Sequence, residues 1–357
     1  MNKLTIIVTY YNAEEYITGC LESIKQQRTQ DFNLIIVNDG STDQSKKLMD
    51  EAIKDYDKNI RFIDLDENSG HAHARNIALE EVETPYFMFL DADDQYLPSR
   101  IDAMIQTYEN HEETDIVIGQ IGRDVHGEWK VFPTHEEIKR DEVVTLERNP
   151  EILQSIGPGG KLFSAKFASL RFDEDVVFCE EHTFVVRAFS KARDINLMSI
   201  IAYGYNEREG SVTDRRADTF LPYMEDAMKV RQRVMELLLL MNEKIYYSYR
   251  MDNLIVSYLI QAHLLKNSVI TPSFIESVTQ YINLMQETHY SGEAMFRIVE
   301  AIEQGGTQWT KDLYQSWRRV LANVGIGRPG YIRFLAQTFP KKSAFSGKQK
   351  LKKVLKK

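Results

Sequence analysis

Three aspartates within four positions, Asp91, Asp93 and Asp94, follow directly on the apolar run Tyr86-Phe87-Met88-Phe89-Leu90. Carboxylates this close repel one another unless a cation lies among them. Asp91 and Asp93 are two positions apart, so a strand carried to its tip projects both to one side. That pair suits a divalent ion that takes oxygen ligands, Mg2+ or Mn2+, held together with a phosphate group. A solvated acidic loop has the same composition, but it does not account for the position at the end of five buried-looking residues. Asp94 has no assigned role. Other polar groups recur in the same rhythm, each beyond a short apolar run: Thr9-Tyr10-Tyr11-Asn12, Asn38-Asp39 and Asn68. Asp39 precedes Gly40-Ser41-Thr42-Asp43, a turn and helix cap, and stands where a carboxylate can accept a hydrogen bond from the N–H of a nucleobase. Arg75 offers a fork of donors to a diphosphate or to the carboxylates of the aspartate cluster. His71 and His73 read as polar residues lining a helix start.

The elements that must position these groups alternate. Strands are expected at Leu4–Thr9, Leu34–Val37, Ile60–Leu65, Tyr86–Leu90 and Asp115–Gln120, and helices at Ala13–Gln26, Ser45–Lys54, Gly70–Glu81 and Ile101–Glu112. This order predicts an α/β fold with a mostly parallel sheet covered on both faces. In such sheets ligands bind beyond the carboxyl ends of the strands, where all the polar clusters fall. Regularity then drops: Trp129–Phe132 is strand-like, Ile156–Phe163 holds a Gly-Pro-Gly-Gly loop, and Glu180–Ser190 reads as a helix. From Phe220 the pattern is helical, with segments Phe220–Met241, Lys244–Lys266, Pro272–Thr288, Glu293–Gln304 and Thr307–Asn323. The expected organisation is a catalytic domain over 1–218, a helical domain over 219–327 and a basic tail over 328–357. The tyrosines Tyr246, Tyr247, Tyr249 and Tyr258 are read as helix packing, with acceptor docking or self-association as the alternative.

Composition narrows the function. The 357 residues are 43% hydrophobic and 27% charged with a formal net charge of -9, which argues against a general nucleic-acid binder. Cys20 and Cys179 form no disulfide framework and no metal-ligand pair, which fits a reducing compartment. The N-terminus lacks the features of a signal peptide, and no apolar run is long enough to span a bilayer. A cytoplasmic protein is expected, peripheral at the inner face of the cell membrane if the tail binds it. Residues 328–357 hold ten Lys or Arg and no Asp or Glu, either a solvated tail or a weak tether to anionic lipid or a polyanionic acceptor.

The strings TIIVTYYN, IIVNDGSTD, NSGHAHARN and FLDADD, in this order and spacing, resemble the N-terminal half of the family 2 glycosyltransferases, which have the GT-A fold. The likeness continues through GGKLF (159–163), CEEHTF (179–184) and YNEREGSVT (205–213), and covers about the first 215 residues. It implies that Asp39 contacts uracil, with Tyr10 or Tyr11 stacking nearby and Thr9 on the nucleoside. It places Asn68, Arg75 and Asn76 in the donor site, Asp91 on the ribose or in the metal's outer shell, and Asp93 on the metal. An inverting transferase needs a base to deprotonate the acceptor hydroxyl. The resemblance assigns this to Glu181, with Glu180 in reserve. Glu181 stands where Asp is usual, and an acidic pair is also favoured at a helix start by the macrodipole. Arg208 resembles part of a segment that closes over the donor; the histidine that some relatives carry there is lacking between Arg208 and Thr213.

The resulting expectation is a metal-dependent inverting glycosyltransferase moving a sugar from a UDP-sugar to a cell-envelope glycan or polyol-phosphate polymer. It resembles teichoic-acid and capsule enzymes and is expected to form a homo-oligomer if its helical half self-associates. The alternatives are a non-catalytic nucleotide-sugar-binding or assembly subunit and a nucleotidyltransferase. A dinucleotide-dependent oxidoreductase is disfavoured because Thr9–Ala13 contains no glycine.

Overall fold

Seven consecutive buried residues, Leu4–Tyr10, form strand β1 at the centre of the sheet. A strand buried along its whole length has both faces covered, which is why its sequence reads as an unbroken apolar run. The computed structural model describes residues 2–54, 56, 59–206, 219–287 and 292–325. The chain divides into two compact units, Met1–Arg208 and Glu209–Lys357. Arg208, the segment 207–218 around it and the basic tail lie outside the described residues.

In the first unit β1 pairs in parallel with β2 (Phe32–Asn38) and β4 (Tyr86–Asp91), and β2 pairs in parallel with β3 (Asn59–Asp64). The register sets Tyr10 opposite Asn38, Asn38 opposite Asp64, and Thr9 opposite Asp91. Four strands therefore end at one level, and their polar tips share one edge. Helices α1 (Ile17–Lys25), α2 (Ser45–Ile53) and α3 (His71–Glu80) fill the crossovers. Helix α1 begins later than its apolar face implies, because residues 13–16 form a turn in which the Ala13 carbonyl accepts from Ile17 N at 2.9 Å.

The rest of the sheet is mixed. After β5 (Gln95–Tyr96) and α4 (Arg100–Glu109) come β6 (Thr114–Val125), β7 (Glu128–Val131), β8 (Glu142–Val144), β9 (Lys161–Ser164), α5 (Glu181–Lys191) and β10 (Asp194–Gly204). The strand order is β3-β2-β1-β4-β9-β6-β10-β5, and β9 runs antiparallel to both β4 and β6. The GGKLF segment thus supplies a central strand as well as a loop. Four residues are too few to show a period.

Side chains of β4 alternate between two cores. Met88 and Leu90 join the cluster of Ile6, Val8, Ile17 and Leu21. Phe87 and Phe89 face an aromatic cluster with Phe163, Phe172 and Phe184, in which the Phe172 and Phe184 rings stack with centroids 4.2 Å apart. Such ring pairs contribute about 0.5–1.5 kcal/mol beyond area burial. Here they seat α5 on the sheet.

The second unit is helical: α6 (Phe220–Leu237), α7 (Met241–Leu254), a π-helical segment (Ile255–Ile260), α8 (Gln261–Lys266), α9 (Pro272–Glu287), α10 (Gly292–Gly305) and α11 (Lys311–Asn323). Helix α11 starts where the Thr310 hydroxyl accepts from Leu313 N at 3.2 Å, later than position 307 of the sequence reading. Tyr247 is buried, whereas Tyr246 and Tyr249 are exposed. Among the described residues no helix is long and apolar enough to cross a membrane.

Candidate active site

The tip of β2 shows how local sequence shapes the site. Gly40 has φ +66°, and a Cβ there would lie 2.4 Å from the Glu67 carbonyl carbon, so only glycine lets the 65–69 loop close over this turn. Asp39, 2% exposed, accepts from Ser69 N at 2.8 Å and Gly70 N at 2.9 Å, one on each carboxylate oxygen. These amides lie at the start of α3, where unpaired N–H groups and the helix dipole favour a negative charge. Ser41, Asp43 and Ser45 bind the backbone of Asn12, Glu14 and Ala13. The Asp-Gly-Ser-Thr-Asp stretch therefore braces the loop after β1 as well as turning the chain.

Thr9 is buried beside Asp91, and Tyr11 is half-buried beyond the strand. Tyr10 goes the other way. Its ring lies in the core, 3% exposed, and its hydroxyl is buried without a hydrogen-bond partner. Burial, with Asp64 nearby, raises its pKa well above the ordinary tyrosine value. Alternation along the strand turns these neighbours to opposite sides, so Tyr11 is the ring left at the edge.

Arg75 ties the site together. It is 4% exposed, donates to Asp91 Oδ1 at 2.7 Å and to Glu180 Oε1 at 3.1 Å, and lies over the Phe172 ring at 5.3 Å. Burial opposes its charge, but its acidic partners, Asp91 foremost, outweigh this and raise its pKa further. Carboxylates, one of the two ligand classes open to it from sequence, are its partners in the structure. Asn76, placed in the donor site by resemblance, forms a buried clamp in the structure. It donates to the Phe172 carbonyl at 3.0 Å and Glu174 Oε1 at 2.7 Å, and accepts from Phe172 N at 2.8 Å. With both amide hydrogens used, its structural part is to hold the segment leading to Glu180. His73 pairs with Glu174 at 3.0 Å. Asn68 lies in the loop beside Gly40.

The three clustered aspartates separate by environment. Asp91 is 28% exposed and bound to Arg75. Asp93 is half-buried, and its carbonyl accepts from the Asn206 side chain at 2.6 Å. Asp94 is buried and accepts from Asn206 N at 2.9 Å. Burial, then the charges of Asp93 and Asp91, push its pKa well up, so Asp94 fastens the end of β10 to the cluster. Tyr203 adds a second tie, accepting from Asp91 N at 3.2 Å. Tyr203 carries no local sequence signal, and Asn206 is marked only by its place in the string YNEREGSVT (205–213). Among the described residues no three His, Cys or acidic side chains form a ready metal cage. Asp93 and Asp91 fit a Mg2+ or Mn2+ that completes its shell with substrate phosphates and water, since such ions are held by one or two carboxylates.

Glu180 and Glu181 open α5. Cys179 before them has φ +64°, a conformation that costs a non-glycine residue on the order of 1–3 kcal/mol and clusters at functional sites. The two carboxyls hydrogen-bond each other and share one proton unequally. Burial and the neighbouring Glu181 charge push Glu180 well up. Burial also works to raise Glu181, but His182, at 3.8 Å, and the hydrogen bond from Glu180 prevail and hold it below the ordinary range. Glu181 is thus the carboxylate of the pair, with 25% of its side chain exposed. A recess of about 500 Å3 at the opposite edge of the sheet is lined by Lys3, Glu109, Asp115, Lys166 and Arg193. Its cations are paired with its acids, and it belongs to no catalytic set.

Residues 5–177 match the model of glycosyl transferase family 2. Staphylococcus aureus TagX is 34% identical over 98% of this chain and 100% of its own length. A Staphylococcus epidermidis teichoic acid poly(glycerol phosphate) polymerase is 83% identical over 121 residues, which are 34% of this chain and 16% of that protein. Among solved structures, S. aureus TarS 1–349 in complex with UDP-GlcNAc superimposes with a TM-score of 0.64 at 19% identity, covering 88% of this chain and 92% of that one. Full-length similarity to TagX, the family match and the GT-A likeness agree with the strand-tip chemistry: the chain belongs to the family 2 glycosyltransferases.

Proposed function

We propose that this glycosyltransferase inverts the anomeric centre of a UDP-sugar and delivers the sugar to a polyol-phosphate polymer of the teichoic-acid kind. The observation that carries the chemistry is the chain Asp91–Arg75–Glu180–Glu181, which joins the aspartate cluster to an ionised carboxylate. Asp39 presents its carboxylate to uracil, Tyr11 lies against the base, and Thr9 and Asn68 flank the nucleoside. Arg208 is proposed to meet the diphosphate. Glu181 takes the proton of the acceptor hydroxyl as its oxygen bonds to the anomeric carbon. The bond from that carbon to the phosphate oxygen breaks, and UDP leaves with the electron pair. Glu180, in its protonated form, donates to Glu181 and keeps it oriented and ionised. A Mg2+ or Mn2+ held by Asp93, with Asp91 in its outer shell, would offset charge on the leaving diphosphate. The acceptor reading is supported by the S. epidermidis relative's name, and the donor reading by the UDP-GlcNAc held by TarS.

The test is release of UDP from a panel of UDP-sugars with Mn2+ or Mg2+, with and without a soluble poly(glycerol phosphate) acceptor. Asp93→Ala is expected to abolish transfer and metal-dependent hydrolysis while the circular dichroism spectrum is kept. Unchanged turnover would reject the metal role. UDP binding without any turnover of the wild-type chain would favour a non-catalytic binding subunit, and release of pyrophosphate a nucleotidyltransferase.

A further inference from the structure

Among the described residues, the helical unit exposes a run of apolar side chains around the connection between α6 and α7. Leu239 is 87% exposed, Met241 62%, Ile245 44%, Tyr249 41%, and Leu240 and Tyr246 39% each. Met241, Ile245 and Tyr249 are four residues apart, so they form a single stripe along α7. Leu239 and Leu240 stand in the connection just ahead of it. The other side of α7 is occupied, with Tyr247 and Met251 buried.

The connection is a built shape. The Glu243 carboxylate folds back and accepts from Leu239 N and Leu240 N, both at 3.0 Å, and Glu243 is 6% exposed. Its charge is thereby withdrawn into the turn. Lys244 is the other charged residue between positions 238 and 249, and it is half-exposed. The stripe therefore shows water an aliphatic tip, two tyrosines and a cation.

We infer that this stripe is a membrane-docking surface, which inserts Leu239, Met241 and Ile245 into the headgroup boundary of an anionic bilayer. Aliphatic side chains flanked by tyrosine and lysine match the layered polarity of that boundary, where aromatic rings sit at headgroup level. Charge selects the occupant. Anionic lipid complements Lys244 and the basic stretch 328–357 of the same chain. The same chain supplies a second signal in ten Lys or Arg with no acidic residue over 328–357. Stable reversible anchoring takes two such signals, apolar insertion and a polybasic segment. This surface lies outside the nucleotide chemistry, so its failure would leave the transferase reading untouched.

Flotation of the full chain with vesicles tests it, using phosphatidylcholine alone and phosphatidylcholine mixed with anionic phosphatidylglycerol. Binding is expected to the anionic vesicles and to weaken with salt. Leu239→Ser/Met241→Ser/Ile245→Ser should lower the bound fraction tenfold or more, with donor hydrolysis and the melting curve unchanged. The single Leu239→Ser, in the exposed connection, should show a smaller loss in the same direction. Equal binding by wild type and triple variant would overturn the inference, as would no binding by wild type. A wild-type dimer that the triple variant dissociates, with lipid binding unaltered, would also overturn it and assign the stripe to a second copy.

Discussion

Two adjacent glutamates whose pKa values are pushed apart carry the proposed chemistry at the residue scale. Glu180 meets both Arg75 and Glu181, and burial with the neighbouring Glu181 charge pushes its pKa well up. Glu181 keeps its charge, so the acid limb of the activity profile should lie below the ordinary glutamate value of about 4.3. Glu181→Gln should reduce kcat by about 10²–10⁴-fold, the usual contribution of a general base. Glu180→Ala removes the hydrogen bond that lowers Glu181, so the acid limb should move up in pH. Were Glu180 ionised, its removal would take away a repelling charge and move the limb down. A pH profile of UDP release for the two proteins separates these outcomes. Asp39 stands out in the sequence because it directly follows the apolar run of β2, and Asp91 and Asp93 because both stand at the end of β4. The link from Arg75 to Glu180 spans 105 positions, and no local pattern announces it.

A buried lysine governs an element near the site. Lys161 begins β9, is fully buried, and donates to Ser155 Oγ at 2.8 Å and the Gly157 carbonyl at 2.6 Å. It thereby holds the Gly-Pro-Gly-Gly loop, whose Gly159 lies so close to Tyr203 that a Cβ would come within 2.9 Å of the ring. Tyr203 in turn meets Asp91. Burial pushes the Lys161 pKa down to about 7, against about 10.4 in an unfolded chain. Between those values the unfolded chain binds the extra proton, so raising the pH stabilises the fold. Lys161→Met lacks this dependence. The stability difference between wild type and variant should shift toward wild type by up to about 1.4 kcal/mol per pH unit from pH 7 to 10. Urea denaturation at pH 7 and 9.5 checks it; equal differences at both would refute the assignment. From sequence Lys161 reads as an ordinary strand residue, because only the surrounding strands remove its water.

At the scale of the whole molecule, every described residue of the candidate site lies in the unit Met1–Arg208. The helical unit has its own polar centre. Arg231 and Asp252, both fully buried, pair at 3.0 Å, and Tyr281 donates to the same Asp252 oxygen at 2.7 Å. Removing one partner of such a pair costs about 3–5 kcal/mol, because the other charge stays buried. Arg231→Met should therefore lower unfolding stability by that amount while the Kd for UDP, read by calorimetry, stays at the wild-type value. A changed Kd with unchanged stability would contradict this division of labour.

Sequence alone determined the alternation of strands and helices, the family and the carboxylates at the strand tips. Each of these is local: apolar period, turn residues and caps act over a few positions. Only the tertiary structure decided that Tyr10 turns inward, that β9 enters the sheet antiparallel, that Asn76 clamps Phe172, and that Arg75 joins Asp91 to Glu180. It also decided that the apolar stripe at Leu239–Tyr249 stays outside while Tyr247 goes in. Those outcomes depend on which distant surfaces exclude water from a given side chain, and that is a property of the packed chain rather than of any short stretch of it.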